Sequence, residues 1–249
     1  MSFGKHGYRM KFEYLMLIPV LLSGACFADA IDECNRFFDR GEYSNAFAYC
    51  SDACNLNVGG GCFNLGVLYG IRQDYGQVRA YFEKACNLND GLGCSSLGVL
   101  YDNGQGVGQD YNRAKIYYEK ACSLNEGIGC RNLGMSYANG QGVKQSYVQA
   151  KTYYEKGCNL NDSGGCNNLG VSYSTGRGVS QNYVQAKTYF EKACKLKDGG
   201  GCNNLGLLYN NGQGVMQNKT TAKEYFGKAC DYGNQTGCDN YRILNEQGY

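Results

Sequence analysis

Apolar and small residues return along this chain at the spacing of an α-helix, stop at a short polar turn, and begin again. From Cys166, the positions Cys166, Leu169, Gly170 and Tyr173 stand at i, i+3, i+4 and i+7, which is one face of a helix. A second phrase on the same spacing holds Ala186, Tyr189, Phe190 and Ala193. Gly170 lies inside the first phrase, where glycine costs up to about 1 kcal/mol. Its return as Gly66, Gly98, Gly134 and Gly206 predicts two helices that approach closely there.

The two phrases are joined by Gly176-Arg-Gly-Val179, with counterparts beginning at Gly104, Gly140 and Gly212. A glycine loop that cradles phosphate needs a strand before it and further glycines or a lysine at fixed offsets, so a helix–turn–helix context makes this a turn. The whole unit then repeats. The cysteine that closes the second phrase steps by 32 residues from Cys54 to Cys86, then by 36 through Cys122, Cys158 and Cys194 to Cys230. The short first step reflects Gly70-Ile-Arg-Gln-Asp74 in place of the glycine turn. A helix pair repeated end to end buries its apolar face only against its neighbours. The pattern therefore predicts one elongated all-α solenoid with units at 58–89, 90–125, 126–161, 162–197 and 198–233. A shortened capping unit at 31–57 precedes them, and a partial unit at 234–249 closes the chain.

A second cysteine opens the next unit eight positions after each closing one: Cys54/Cys62, Cys86/Cys94, Cys122/Cys130, Cys158/Cys166, Cys194/Cys202 and Cys230/Cys238. Of fifteen cysteines, Cys26 lies in the leader discussed below, and Cys34 and Cys50 are left to pair. Cys50 stands where the second phrase elsewhere has an aromatic, so a bond to Cys34 would tie the end unit internally. Zinc would want Cys-x-x-Cys knuckles or histidine partners, and the one histidine is His6. The expectation is seven disulfides, no metal and no cofactor. Each nine-residue loop closed at a junction is worth about 2.5 kcal/mol by chain entropy.

The first thirty residues differ in kind. Lys5, Arg9 and Lys11 precede the apolar run Leu15 to Leu22, followed by small residues and Ala28-Asp-Ala30. This is the grammar of a cleaved secretory signal, 1–30, and the run is too short to span a bilayer. Met10 serves equally as a start, and Cys26 is an alternative lipid-anchor site, although Ser23 stands where such sites usually have leucine. Paired cysteines suit an oxidising compartment, so the chain is expected outside the cytosol, extracellular or periplasmic, with no membrane attachment after cleavage. Lys and Arg total 24 against 22 Asp and Glu, with neither sign concentrated. A nucleic-acid partner would need a basic stripe, and none is present.

The Leu169-Gly170, Tyr173, Ala186, Tyr189/Phe190 and Ala193 positions resemble those of tetratricopeptide repeats, and the 36-residue unit with its Asn-Gly-Gln-Gly-Val turn is similar to the Sel-one-like subclass. With a cysteine pair at every junction, the chain resembles the Helicobacter cysteine-rich proteins. That resemblance implies an exported protein that binds penicillin-type β-lactams and slowly hydrolyses penicillin and cephalosporin derivatives; some members interact with the host. No residue of this chain can be assigned the chemistry. Ser-x-x-Lys occurs only at Ser2–Lys5, inside the leader, Ser-Asp-Asn and Lys-Thr-Gly are absent, and no histidine follows His6.

The alternative is a non-catalytic monomer that holds an extended peptide or a host protein. A helical wheel puts Asn168 and Thr175 opposite the core face, with Asn64, Ser96, Asn132 and Asn204, then Asn103, Asn139 and Asn211, at equivalent places. Amides both donate and accept, so Asn64, Asn132, Asn168 and Asn204 could grip a peptide backbone or the amide and carboxylate of a β-lactam. They could equally be solvated or bond neighbouring helices. The Glu-Lys pairs Glu83/Lys84, Glu119/Lys120, Glu155/Lys156 and Glu191/Lys192 read as a solvated face, because adjacent helical residues do not face each other.

Overall fold

The computed structural model describes residues 23–249. Thirteen helices and no strand occur among them: α1 (Ser23–Asp39), α2 (Tyr43–Asn55), α3 (Gly59–Ile71), α4 (Tyr75–Asn87), α5 (Gly91–Asn103), α6 (Tyr111–Ser123), α7 (Gly127–Asn139), α8 (Tyr147–Asn159), α9 (Ser163–Thr175), α10 (Tyr183–Lys195), α11 (Gly199–Asn211), α12 (Lys219–Asp231) and α13 (Gln235–Glu246). The signal-sequence reading falls mostly outside the described residues, and α1 runs through Ala28-Asp29-Ala30. No helix of the described residues is long and apolar enough to cross a membrane.

Local chemistry sets each boundary. The first helices α5, α7, α9 and α11 stop at Gly104, Gly140, Gly176 and Gly212, each in the left-handed region that closes a helix. Asp90, Asp162 and Asp198 start the following units by accepting the backbone N–H three residues on. In the turn between helices, Gln109, Gln145, Gln181 and Gln217 each donate a side-chain N–H to a carbonyl of the preceding helix at 2.7–2.8 Å. The second turn glycine has its own reason: a methyl group on Gly178 would collide with the carbonyl oxygen of Tyr147 in the previous unit. The turn is thus a packing device between units.

Within a unit the helices interlock ring on glycine. A methyl group built on Gly170 would stand 2.6 Å from the Phe190 ring, so only glycine leaves room for it. Beside each such contact two rings stack: Tyr101 on Tyr117, Tyr137 on Tyr153, Tyr173 on Tyr189 and Tyr209 on Tyr225, with centroids 5.4–5.6 Å apart. Phe37 and Tyr49 stack the same way in the first unit, which puts Cys34 at the glycine position and Cys50 at the ring position. Their disulfide replaces the ring-on-glycine contact.

Between units, six disulfides join the end of each second helix to the next first helix: Cys54–Cys62, Cys86–Cys94, Cys122–Cys130, Cys158–Cys166, Cys194–Cys202 and Cys230–Cys238. The opening cysteines Cys62, Cys94, Cys130, Cys166 and Cys202 are wholly buried. They lie on the core face of their helices, with Leu65, Leu97, Leu133, Leu169 and Leu205 one turn on and equally buried. Their sulfurs are therefore core atoms as well as crosslinks. None of the five is presented to a ligand.

A second inter-unit contact corrects the reading of the Glu-Lys pairs. Lys84, Lys120, Lys156 and Lys192 reach back to the carbonyls of Cys54, Cys86, Cys122 and Cys158 at 2.6–2.9 Å. Each lysine therefore caps the C-terminal end of the previous second helix, where a cation is favoured. Lys115, Lys151 and Lys187 take up Glu119, Glu155 and Glu191 instead.

Consecutive first helices touch one another, from α3 with α5 to α11 with α13, while consecutive second helices make no comparable contact among the described residues. The stack therefore curves, with the first helices inside.

Candidate functional site

The face that the first helices turn away from their partners forms the inside of this curve. Its floor follows from the wheel: with Cys, Leu, Gly and Tyr directed at the second helix, the residue five places after the junction cysteine points the other way. Counted from Cys62, Cys94, Cys130, Cys166 and Cys202, that row is Val67, Val99, Met135, Val171 and Leu207. Four of these are half-buried and Met135 is 42% exposed, so one apolar strip runs along the inner face.

Amides flank the strip, and they are not equivalent. Asn64 donates to Asn35 Oδ1 at 2.8 Å, Asn204 to Asn167 Oδ1 at 2.9 Å, and Asn240 to Asn203 Oδ1 at 2.9 Å. At both ends of the solenoid, then, the amide ladder is closed between neighbouring helices. In the middle, the preceding helix offers Ser95 and Arg131 where the C-terminal rungs have Asn167 and Asn203. There the side chains of Asn132 and Asn168 have no hydrogen-bond partner among the described residues; only their main-chain carbonyls are engaged, by Ser136 and Ser172 hydroxyls at 3.1 and 2.9 Å. Of the four asparagines singled out from the sequence, two bond neighbouring helices and two stand open. Asn103, Asn139 and Asn211 end their helices on the exposed rim.

Two further residues that the sequence reading passed over lie in the same central stretch. The Arg131 guanidinium is 3.5 Å from Asp162 Oδ2, while its Nε is buried without an acceptor. Asp102, half-buried, accepts from the Tyr118 hydroxyl at 3.4 Å, and burial pushes its carboxyl above the usual range. Their signal in the sequence was available: each is a charge at a repeat position that is uncharged in the other full units.

Burial pushes the Tyr154 phenol up to about 12 and Tyr118 also upward, and both rings pack on the core-facing glycines Gly134 and Gly98 rather than on the inner face. The buried serines Ser136 and Ser172 donate to main-chain carbonyls and lack an adjacent base. An open depression of about 330 Å³ lies elsewhere, between α4 and α6, bounded by Arg79, Tyr101, Gln109, Asp110 and Arg113, with no paired nucleophile and base. No group of three or more His, Cys, Asp or Glu gathers to hold a metal among the described residues.

Comparison with known proteins places these features. The Sel1 repeat matches residues 60–90, 92–126, 127–162, 163–198 and 200–234. No curated protein matches the sequence. The structure is similar to a protective antigen of uropathogenic Escherichia coli with an SLR fold, at 25% identity and TM-score 0.71, covering 91% of this chain and 50% of that one. The chain thus spans half the length of that protein. A Sel1 repeat protein from Oxalobacter formigenes is similar at 21% identity and TM-score 0.71, over 87% of this chain and 98% of that one. Cysteine rich protein B of Helicobacter pylori shares 42% identity over 51% of this chain and 90% of its own, with TM-score 0.43.

Proposed function

The chain belongs to the Sel1 repeat family, and from that premise we propose that it is an exported scaffold whose inner face holds an extended peptide segment of another protein. One observation carries the reading. The amide ladder is closed at both ends of the solenoid and open at Asn132 and Asn168, over the apolar strip. Half-buried amides without a side-chain partner suit a peptide backbone, which needs a donor and an acceptor at each step, while Val99, Met135 and Val171 suit its side chains. Export is supported by the basic–apolar–small order of the leader and by a full set of paired cysteines.

The test is selection of peptides from a random displayed library by the oxidised protein, followed by amide-shift mapping. Shifts confined to the inner face of α5, α7 and α9 are expected. Changing Asn132 and Asn168 together to Ala should weaken binding about tenfold or more, since each amide contributes roughly 1 kcal/mol. Changing Asn64 and Asn204 should lower stability and leave affinity nearly unchanged. Enrichment of nothing, or of peptides that map to the second helices, would remove the proposal.

The β-lactam reading is favoured by one local fact: Arg131 and Asn168 stand at the rung positions that Asn167 and Asn204 hold one unit on, a cation and an open amide for a carboxylate and a lactam carbonyl. Serines engaged with main-chain carbonyls support binding without fast turnover. A chromogenic cephalosporin checks this, with binding and no hydrolysis above background as the expected result.

A further inference from the structure

The inner face carries almost no charge. Among the residues one, two, five, eight and nine places after the second junction cysteine of α3, α5, α7, α9 and α11, Asp102 and Arg131 alone are ionisable as acid or base. They fall on adjacent helices in the middle of the solenoid, where α5 packs on α7. They do not pair with each other: Asp102, at the edge of the inner face nearest α6, is held by the Tyr118 hydroxyl, and Arg131 leans toward Asp162 at 3.5 Å. Asp162 is already engaged as the start of α9, accepting the Gly165 N–H at 2.6 Å. Arg131 is thus left with a buried, unpartnered Nε and a long, single-oxygen contact. The terminal nitrogens of this partly exposed guanidinium keep donors free for a second carboxylate, while the buried Nε lies out of a ligand's reach. Met135, one helical turn on from Arg131 and exposed, is an adaptable apolar neighbour for a side chain beside that carboxylate.

We propose that this isolated charge couple sets the register of the bound peptide: the segment that fits carries a basic side chain at Asp102, an acidic one at Arg131, and an apolar one between them. Packed first helices lie about 10 Å apart, and an extended chain advances about 3.3 Å per residue. Asp102 and Arg131 also stand seven repeat positions apart, about 10 Å along the helix axis, so the two charges of the ligand are about 14 Å and roughly four residues apart, on the same side of an extended chain. The couple acts as a positioning mark on a surface whose amides and apolar strip would otherwise accept many registers. This rests on the inner face being the binding face.

The test uses the whole oxidised chain and fluorescent ten-residue peptides of serine and glycine, blocked at both ends, with a central Lys-Ser-Leu-Ser-Glu or its reverse, and the same peptides with Gln in place of both charges. Fluorescence anisotropy at low salt should show the charged core binding about tenfold tighter in at least one direction, with the difference shrinking as salt rises. Arg131→Gln should abolish the preference for Glu, and Asp102→Asn the preference for Lys, with circular dichroism to show that each variant is folded. If charged and neutral peptides bind the natural chain equally, the register proposal falls while the scaffold stands. That comparison needs no variant. If neither binds, or binding maps outside the inner face, both fall.

Discussion

Lys197 turns out of α10 with φ of 64°, in the left-handed region where an L-residue without an amide side chain is strained. Asn57, Asn89, Asn125 and Asn161 occupy the equivalent place in earlier units, and Gly233 in the last. Asparagine tolerates that conformation and glycine adopts it freely, so the lysine is the odd member. Lys197→Gly should raise stability by about 1 kcal/mol, read as an upward shift of the urea midpoint at unchanged slope. Gly170→Ala tests the opposite case, because its methyl group meets the Phe190 ring; a loss of about 1–3 kcal/mol is expected in the same titration. If the alanine variant melts at the same midpoint, the helices are not locked by ring-on-glycine contact.

At the scale of helices, the lysines that reach back one unit join two ends that no local rule connects. Lys156→Met keeps the stem and removes the donor to the Cys122 carbonyl. It should cost about 1 kcal/mol and speed hydrogen exchange at the end of α6, with α8 itself unaffected. Such contacts mark the limit of what the sequence could tell. Helix faces, the repeat and stapled junctions such as Cys86–Cys94 and Cys194–Cys202 were legible because their partners lie within one helix or across an eight-residue step. Lys156 and Cys122, or Asn204 and Asn167, are separated by 34 and 37 residues, and their meeting depends on how successive units rotate. A wheel drawn on one helix gives the open direction, and so it found the asparagine rows. It could not tell that Asn64 and Asn204 are taken while Asn132 and Asn168 are free. Asp102 and Arg131 were missed because the eye followed what recurs, whereas these two stand out by failing to recur.

Across the whole molecule, stability is the sum of unit and junction terms, so its loss need not be all at once. Twelve of the paired cysteines are buried; Cys230 and Cys238 are half-buried, at the junction before α13. Limiting reductant followed by alkylation and mass analysis should therefore label Cys230 and Cys238 first, with central junctions such as Cys122–Cys130 opening only as units loosen. Simultaneous labelling of all pairs would mean that the solenoid opens as one body. The position of the staples has a mechanical side as well. Each bridges two consecutive units across the eight-residue step between its cysteines, and none but Cys34–Cys50 ties a unit to itself. Under tension, then, helix pairs would peel apart one by one while every hinge kept its shape, and the covalent links would hold the slack out of the line of force. Such a strand would lengthen in even increments, stop well short of its full contour, and on release find each pair still seated beside the one it left.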